Sequence, residues 1–261
     1  MHCTEEMRVI VFANNWVGWK ITEWLSAHAD TEIVGLVLHA QAKQKYAQEI
    51  LQSVRLNEDR IFDGSRLHEP ETIATIQSLR AEIGVSALFG YILKKDVLNL
   101  FPHGCINVHP AYLPWNRGSY PNVWSIVEGT PAGATVHYID EGIDTGDVIA
   151  RKQVTIDVTD TGESLYHKLE QACVDLFLET WPKIVDGTAE RIPQSTLEEG
   201  TTHQCSDVDA IDQIDLQKQY SAEELFDIIR ARTFPPYKGA YFLDKNGDRV
   251  YVRSAFHRET V

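Results

Sequence analysis

The sequence predicts an α/β fold: a mostly parallel sheet flanked by helices, with a small α+β unit at the C-terminal end. Three observations carry that expectation. Strand-like apolar runs alternate with segments of helical period over the first two thirds of the chain, the pattern of a parallel sheet wrapped by helices. One long amphipathic helix, residues 162–185, closes that region. Beyond it, a polar, turn-rich stretch leads to a capping box and an Asn-Gly hairpin, the marks of a second, smaller unit.

Residues 7–13 (Met-Arg-Val-Ile-Val-Phe-Ala) are β-branched and apolar and read as the first strand, with a helix over 16–29 and a Val-rich strand over 32–38. A helix over 42–53, a short strand at 60–62 and a helix over 70–81 opened by Pro70 follow. Residues 85–89 read as a strand, 95–100 as a short helix, and 105–109 as a strand ended by prolines. A helix over 121–128 precedes strands at 134–138 and 147–154. Helix 162–185 is the clearest element: Leu165, Leu169, Ala172, Cys173, Leu176, Phe177, Trp181 and Ile184 share one stripe. Residues 188–212 read as a surface connection. Ser221-Ala222-Glu223-Glu224 opens a helix to Arg232, and strands at 241–243 and 250–253 flank Lys245-Asn246-Gly247-Asp248. The expected domains are 1–187, Rossmann-like, and 188–261. The second is too small for its own core, so it is expected to pack on the first or on a second subunit as a homodimer.

Composition narrows the function. The 43% hydrophobic and 24% charged content is that of a globular protein, and 261 residues hold one sizeable domain plus a smaller one. No apolar run approaches the roughly 20 residues of a membrane span. Met1-His2-Cys3-Thr4-Glu5-Glu6 is no signal sequence, and Cys3, Cys105, Cys173 and Cys205 form no Cys-x-x-Cys, so a cytoplasmic protein is expected. The net charge of −14 argues against nucleic acid as a partner, because phosphate polymers call for a basic surface. A diphosphate needs only two or three local donors.

Asn107-Val108-His109 is the most informative motif. Residues i and i+2 of a strand point the same way, so the amide and the imidazole face one pocket. The turn Asp140-Glu141-Gly142-Ile143-Asp144-Thr145-Gly146-Asp147 can carry a carboxylate to them. Acyl transfer to an amine needs such a set: a donor for the oxyanion, a proton carrier, and a group that orients the carrier. The bland readings are a packed histidine and turn carboxylates capping backbone amides, the latter suiting Asp147 better than Asp144. A metal held by His109, His137, Asp144 and Asp147 has no supporting ligand spacing, and none is expected. The first loop, Asn14-Asn15-Trp16-Val17-Gly18, lacks Gly-x-Gly-x-x-Gly, which disfavours a dinucleotide. Asn14 and Asn15 either meet an anion or polar sugar or cap the helix. Asp63-Gly64-Ser65-Arg66 is a phosphate contact or only a turn.

Residues 106–150, with Asn107, His109 and Asp144, resemble the catalytic core of the N10-formyltetrahydrofolate-dependent formyltransferases. The signature of that family is Asn-x-His followed, roughly forty residues on, by an Asp in a glycine turn. Phe89-Gly90-Tyr91-Ile92-Leu93 resembles its folate-site loop, and the stretch from Arg230 to Gly239 resembles its Arg-x-Phe-x-Pro-x-x-Gly motif. The resemblance implies that Asn107 donates to the oxyanion, His109 moves the proton and Asp144 orients His109. It also implies that N10-formyltetrahydrofolate lies against Leu88, Phe89, Tyr91, Ile92 and Leu93 and the backbone of Tyr138, Asp140, Glu141 and Gly142.

The segment from Asn116 to Asn122 resembles the sugar-nucleotide members of the family, which implies a nucleotide-linked amino-dideoxysugar as acceptor, on UDP or dTDP. Asn14, Asn15, Tyr112, Arg117, Phe234, Tyr237 and Lys238 are the candidate contacts to it. Phe234, Tyr237, Trp115 or Trp124 is expected to stack on the base, with core packing as the alternative, above all for Trp124. Methionyl-tRNA as acceptor, hydrolysis of formyltetrahydrofolate, and a non-catalytic folate- or nucleotide-binding role are the other readings.

Overall fold

The computed structural model describes residues 6–259. Cys3 and most of the opening segment read for a signal sequence lie outside them. The chain folds into two compact units. The first takes the chain up to His109 with Thr135–Arg151 and Cys173–Thr196; the second takes Pro110–Ala134, Lys152–Ala172 and the chain from Leu197. The division is discontinuous and does not fall at one boundary near Gly187.

The elements run β1 (Met7–Ala13), α1 (Asn15–Ala27), β2 (Thr31–Leu38), α2 (Ala47–Gln52), β3 (Ile61–Asp63), α3 (Pro70–Ser78), β4 (Ile83–Ala87), α4 (Lys95–Leu98), β5 (Cys105–His109), β6 (Arg117–Gly118) and α5 (Pro121–Val127). They continue with β7 (Ala132–Tyr138), β8 (Val148–Val154), α6 (Gly162–Val185), β9 (Thr202–His203), α7 (Asp209–Asp212), α8 (Ala222–Ala231), β10 (Tyr241–Leu243) and β11 (Arg249–Tyr251). A seven-stranded sheet has the order β3-β2-β1-β4-β5-β7-β8. Its pairs from β3 through β5 are parallel and β5–β7 is antiparallel. The α/β fold with a small C-terminal α+β region is therefore as the sequence predicts.

The order reverses around β1, whose neighbours are β2 and β4. Ala13 is in register with Leu38 and Ala87, and Ala87 with Val108, so Asn14, His39, Leu88 and His109 leave the sheet at one carboxyl edge. Such a switch point is where open α/β sheets bind ligands.

Apolar burial explains the first unit. Ile10, Phe12, Val34, Val37, Leu67 and Ile76 form its core with the partly buried Phe62 and Phe89. The α6 stripe is buried as expected: Phe177 stacks on Trp181, whose indole N–H donates to Thr31 Oγ1 at 3.0 Å. In the second unit, Val123, Trp124, Leu165, Leu169, Val208 and Ala231 make one core and Ile214, Ile228 and Ala240 a smaller one. The C-terminal segment thus shares a core with chain from before Gly187.

Three expectations need correction. The helix over 42–53 is broken: a 3-10 turn at Gln41–Lys43 and a left-handed Tyr46 precede α2. The strand 85–89 starts at Ile83 and stops at Ala87, because Leu88 turns into the left-handed region with φ +49. Residues 188–212 are not merely a surface connection. Ile192 bridges Val148, Gln194 and Val208 are buried, and β9 and α7 form there. Polar composition does not reveal which polar side chains satisfy buried carbonyls.

Candidate active site

The carboxyl end of β5 carries the expected pair. His109 is buried, Asn107 half-buried, and Asn107 is opposite His137 on the antiparallel β7. That register brings in a third side chain, His137, which the sequence suggested only as a metal ligand without supporting spacing. His137 donates from Nδ1 to the Tyr138 carbonyl at 2.7 Å, which leaves Nε2 as an acceptor for the Asn107 amide N–H at 3.2 Å. The Asn107 oxygen accepts from the Ser86 hydroxyl at 2.8 Å. Both partners therefore fix the amide's orientation.

Asp144 stands between the two imidazoles. Its Oδ2 is 3.6 Å from His109 Nε2 and its Oδ1 3.6 Å from His137 Nε2. These are ion-pair separations, longer than a direct hydrogen bond. The turn that delivers Asp144 is tightly built. Asp144 itself has φ +53, uncommon for a residue with a side chain and typical of functional turns. Asp140 accepts from the Gly142 N–H and the Thr145 hydroxyl. At Gly146 a Cβ would lie 1.9 Å from the Tyr138 carbonyl, so only glycine fits. Gln194, absent from the sequence reading, donates to the carbonyls of Asp144 and Gly146, each at 2.8 Å. Asp147 is drawn into an ion pair with Arg191 at 2.8 Å. Among the described residues, no group of three or more His, Cys, Asp or Glu side chains is set to hold a metal ion.

The loop after β4 hangs on His39 at the end of β2. The Gly90 N–H donates to His39 Nε2 at 2.9 Å, and the Phe89 and Tyr91 rings pack edge-on to the imidazole. Burial first, and the nearby Lys43 ammonium last, push His39 below the usual imidazole range, against a hydrogen bond to the Lys43 backbone. Leu93 is buried in the core while Ile92 is 71% exposed, so within the loop Ile92 offers apolar surface to a flat ring and Leu93 does not. Tyr138 is half-buried beneath the Arg191 guanidinium, and Glu141 pairs with Lys95.

Asn14 and Asn15 belong to this unit, and of the two readings open for them, helix capping does not apply to the Asn14 side chain. The Asn14 oxygen accepts from the Lys45 N–H, its amide reaches His39, and no side-chain bond caps α1. Asn15 accepts from the Trp16 N–H. At the loop after β3, Asp63 is engaged with Ser65 and Arg66 with Glu69, as a plain turn would have it.

The other expected contacts lie in the second unit. Tyr112 and Arg117 are half-buried there. Phe234 packs on Tyr166 and Tyr237, and Lys238 is over the Tyr251 ring. Trp115 is half-buried, whereas Trp124 stacks on His203 inside that unit's core and is a packing residue. No helix of the described residues is long and apolar enough to cross a membrane.

Two family patterns match the chain: formyl transferase over residues 7–180, and the N-formyltransferase dimerization C-terminal domain over residues 207–257. The chain is 39% identical to a methionyl-tRNA formyltransferase from Agathobacter rectalis, over 55% of this chain and 46% of the relative. It is 33% identical to the dTDP-4-amino-4,6-dideoxyglucose formyltransferase of Mycobacterium tuberculosis, over 59% of this chain and 65% of the relative. The chain thus spans less than two thirds of the length of these relatives. A crystal structure of a 4-N formyltransferase from Francisella tularensis superposes with a TM-score of 0.83 at 26% identity, covering 97% of this chain and 99% of that one.

Proposed function

The chain belongs to the formyl transferase family, and on that premise we propose that it transfers the formyl group of N10-formyltetrahydrofolate to the free amine of a nucleotide-linked amino-dideoxysugar, on UDP or dTDP. The observation that carries the chemistry is the Asn107 amide, held at both ends by Ser86 and His137 beside His109 and Asp144. The folate supplies an amide-like, activated formyl carbonyl. Asn107 donates its remaining N–H where negative charge develops on the formyl oxygen; loss of one such donor typically costs ~100- to 1000-fold in rate. His109 takes a proton from the attacking amine and returns it to the departing nitrogen, and Asp144 stabilises the imidazolium between those events. No step calls for a metal. The held loop after β4, with the exposed Ile92 and the exposed Asp140–Glu141–Gly142 edge, suits a flat folate ring.

Two findings favour the acceptor class. The dTDP-4-amino-4,6-dideoxyglucose formyltransferase relative favours an aminosugar nitrogen, and the 4-N formyltransferase structure favours transfer to nitrogen. The net charge of −14 is poorly suited to RNA. Methionyl-tRNA is the second reading, favoured by the methionyl-tRNA formyltransferase relative. We assign acceptor binding to Tyr112, Arg117, Phe234, Tyr237 and Lys238; alanine variants that all leave the acceptor KM unchanged would dispose of that assignment. The match to a dimerization domain and the exposed Phe226, Leu243, Val250 and Tyr251 support a homodimer, which light scattering at micromolar concentration tests. Thermal shift with UDP, dTDP, GDP and CDP, with and without a folate analogue, tests the substrate pair. The base that stabilises the protein most is the one its acceptor carries, and equal responses to all four would count against a nucleotide-linked acceptor.

A further inference from the structure

We infer that Gln194 is a positioning residue for the reaction, acting through Asp144. The inference rests on the role proposed for Asp144 above. Gln194 lies fifty residues beyond Asp144 in sequence, in a segment whose composition suggests only a surface connection, yet it is buried. Its Nε2 donates to the carbonyl of Asp144 and to that of Gly146, each at 2.8 Å, so one amide nitrogen clasps two carbonyls in the second half of the turn. The segment is itself anchored: Val148 and Ile192 exchange two backbone hydrogen bonds of 2.8 Å, which places Gln194 at a fixed distance from the turn.

The clasp matters because the turn is under strain. Asp144 adopts φ +53, a conformation that non-glycine residues keep only when their surroundings over-determine it. Its carboxylate must face His109 and His137 at 3.6 Å from each. A backbone rotation that relieved φ would swing the side chain away from both rings. Gln194 opposes that rotation by fixing the Asp144 and Gly146 carbonyls, both on the C-terminal side of the rotating bond. A carboxylate at position 194 has the same shape but offers no N–H and would repel both carbonyls. A lysine carries donors again.

The test compares Gln194→Ala, Gln194→Glu and Gln194→Lys with Asp144→Asn in the full chain, using N10-formyltetrahydrofolate and the aminosugar nucleotide that the wild type formylates. Gln194→Glu is expected to lower kcat roughly 10- to 100-fold, as small misplacements of catalytic groups do. Both KM values should stay within about threefold, since no binding group is lost. The acid limb of the kcat/KM profile should move to lower pH, because the carboxylate that favours the imidazolium has withdrawn. Gln194→Lys should recover part of the loss. A Gln194→Glu protein with wild-type kcat and pH profile, beside an Asp144→Asn protein with a strongly lowered kcat, would overturn the inference alone. An Asp144→Asn protein with kcat within about twofold of wild type would overturn the reading beneath it. Loss of folding in both Gln194→Ala and Gln194→Glu, judged by circular dichroism, would reduce Gln194 to a structural residue and also refute the claim.

Discussion

Replacing Asp144 by Asn keeps the shape of the turn residue and removes only its charge. The predicted effect follows from the distance. Unit charges 3.6 Å apart, as His109 Nε2 and Asp144 Oδ2 are, attract by about 4–5 kcal/mol at an effective dielectric constant of ~20. Solvent reaching the partly exposed carboxylate reduces this to about 2–3 kcal/mol. If His109 is cationic at the barrier, kcat should fall about 30- to 150-fold. His137 adds a second signature. Without the carboxylate, nothing offsets its neutral, acceptor Nε2 bond to Asn107, so the amide should stay in place and the formyl-donor KM should change little. The assay is steady-state formyl transfer with both substrates varied, from pH 5.5 to 9. The acid limb should move to lower pH in the variant. An Asp144→Asn enzyme with kcat within about twofold of wild type, and with an unmoved acid limb, would refute the charge argument.

Ser86→Ala removes the hydroxyl that holds the Asn107 oxygen and should lower kcat about fivefold, the worth of one ordinary hydrogen bond; unchanged turnover would mean that His137 alone orients the amide. His39 has a folded-state value below the usual 6.5, so the stability it contributes is present above that value and is lost as pH falls through and below it. Thermal melts from pH 7.5 to 5 should show a decline that His39→Gln flattens, and identical curves for the two proteins would contradict the role given to His39. Trp181→Ala should destabilise the protein by about 3–5 kcal/mol in urea titration, because a fully buried indole and its bond to Thr31 both go. A loss below about 1 kcal/mol would show that the packing around Trp181 within the first unit is relaxed.

Much of this architecture was legible in the sequence because its signals are local. The bounds of β1, β5 and α6 agree with their apolar runs and stripe, and the proline after His109 stops β5 where expected. The i, i+2 spacing of Asn107 and His109 sufficed to place both at one strand end. What the sequence hid depends on contacts between distant segments. His137 enters through the antiparallel register of β5 and β7, which no local pattern announces. From the sequence it stood beside His109 and Asp144 only as a metal ligand that no spacing supported. Gln194 and His39 are polar side chains whose value lies in the backbone groups they satisfy, Asp144 and Gly146 for one and Gly90 for the other. The early end of β4 has the same origin: a left-handed Leu88 violates local preference where the loop must turn over His39.

Product analysis decides between an aminosugar nucleotide and methionyl-tRNA as acceptor. The full chain would be incubated with N10-formyltetrahydrofolate and, in parallel, with UDP- and dTDP-linked amino-dideoxysugars and with charged initiator tRNA, and the products resolved by mass spectrometry. The expected product is an N-formylated sugar nucleotide, formed with only weak dependence on salt and lost in Asn107→Ala, His109→Ala and Asp144→Ala, with the tRNA unmodified. Rapid formylation of methionyl-tRNA with every aminosugar nucleotide inert would contradict this expectation.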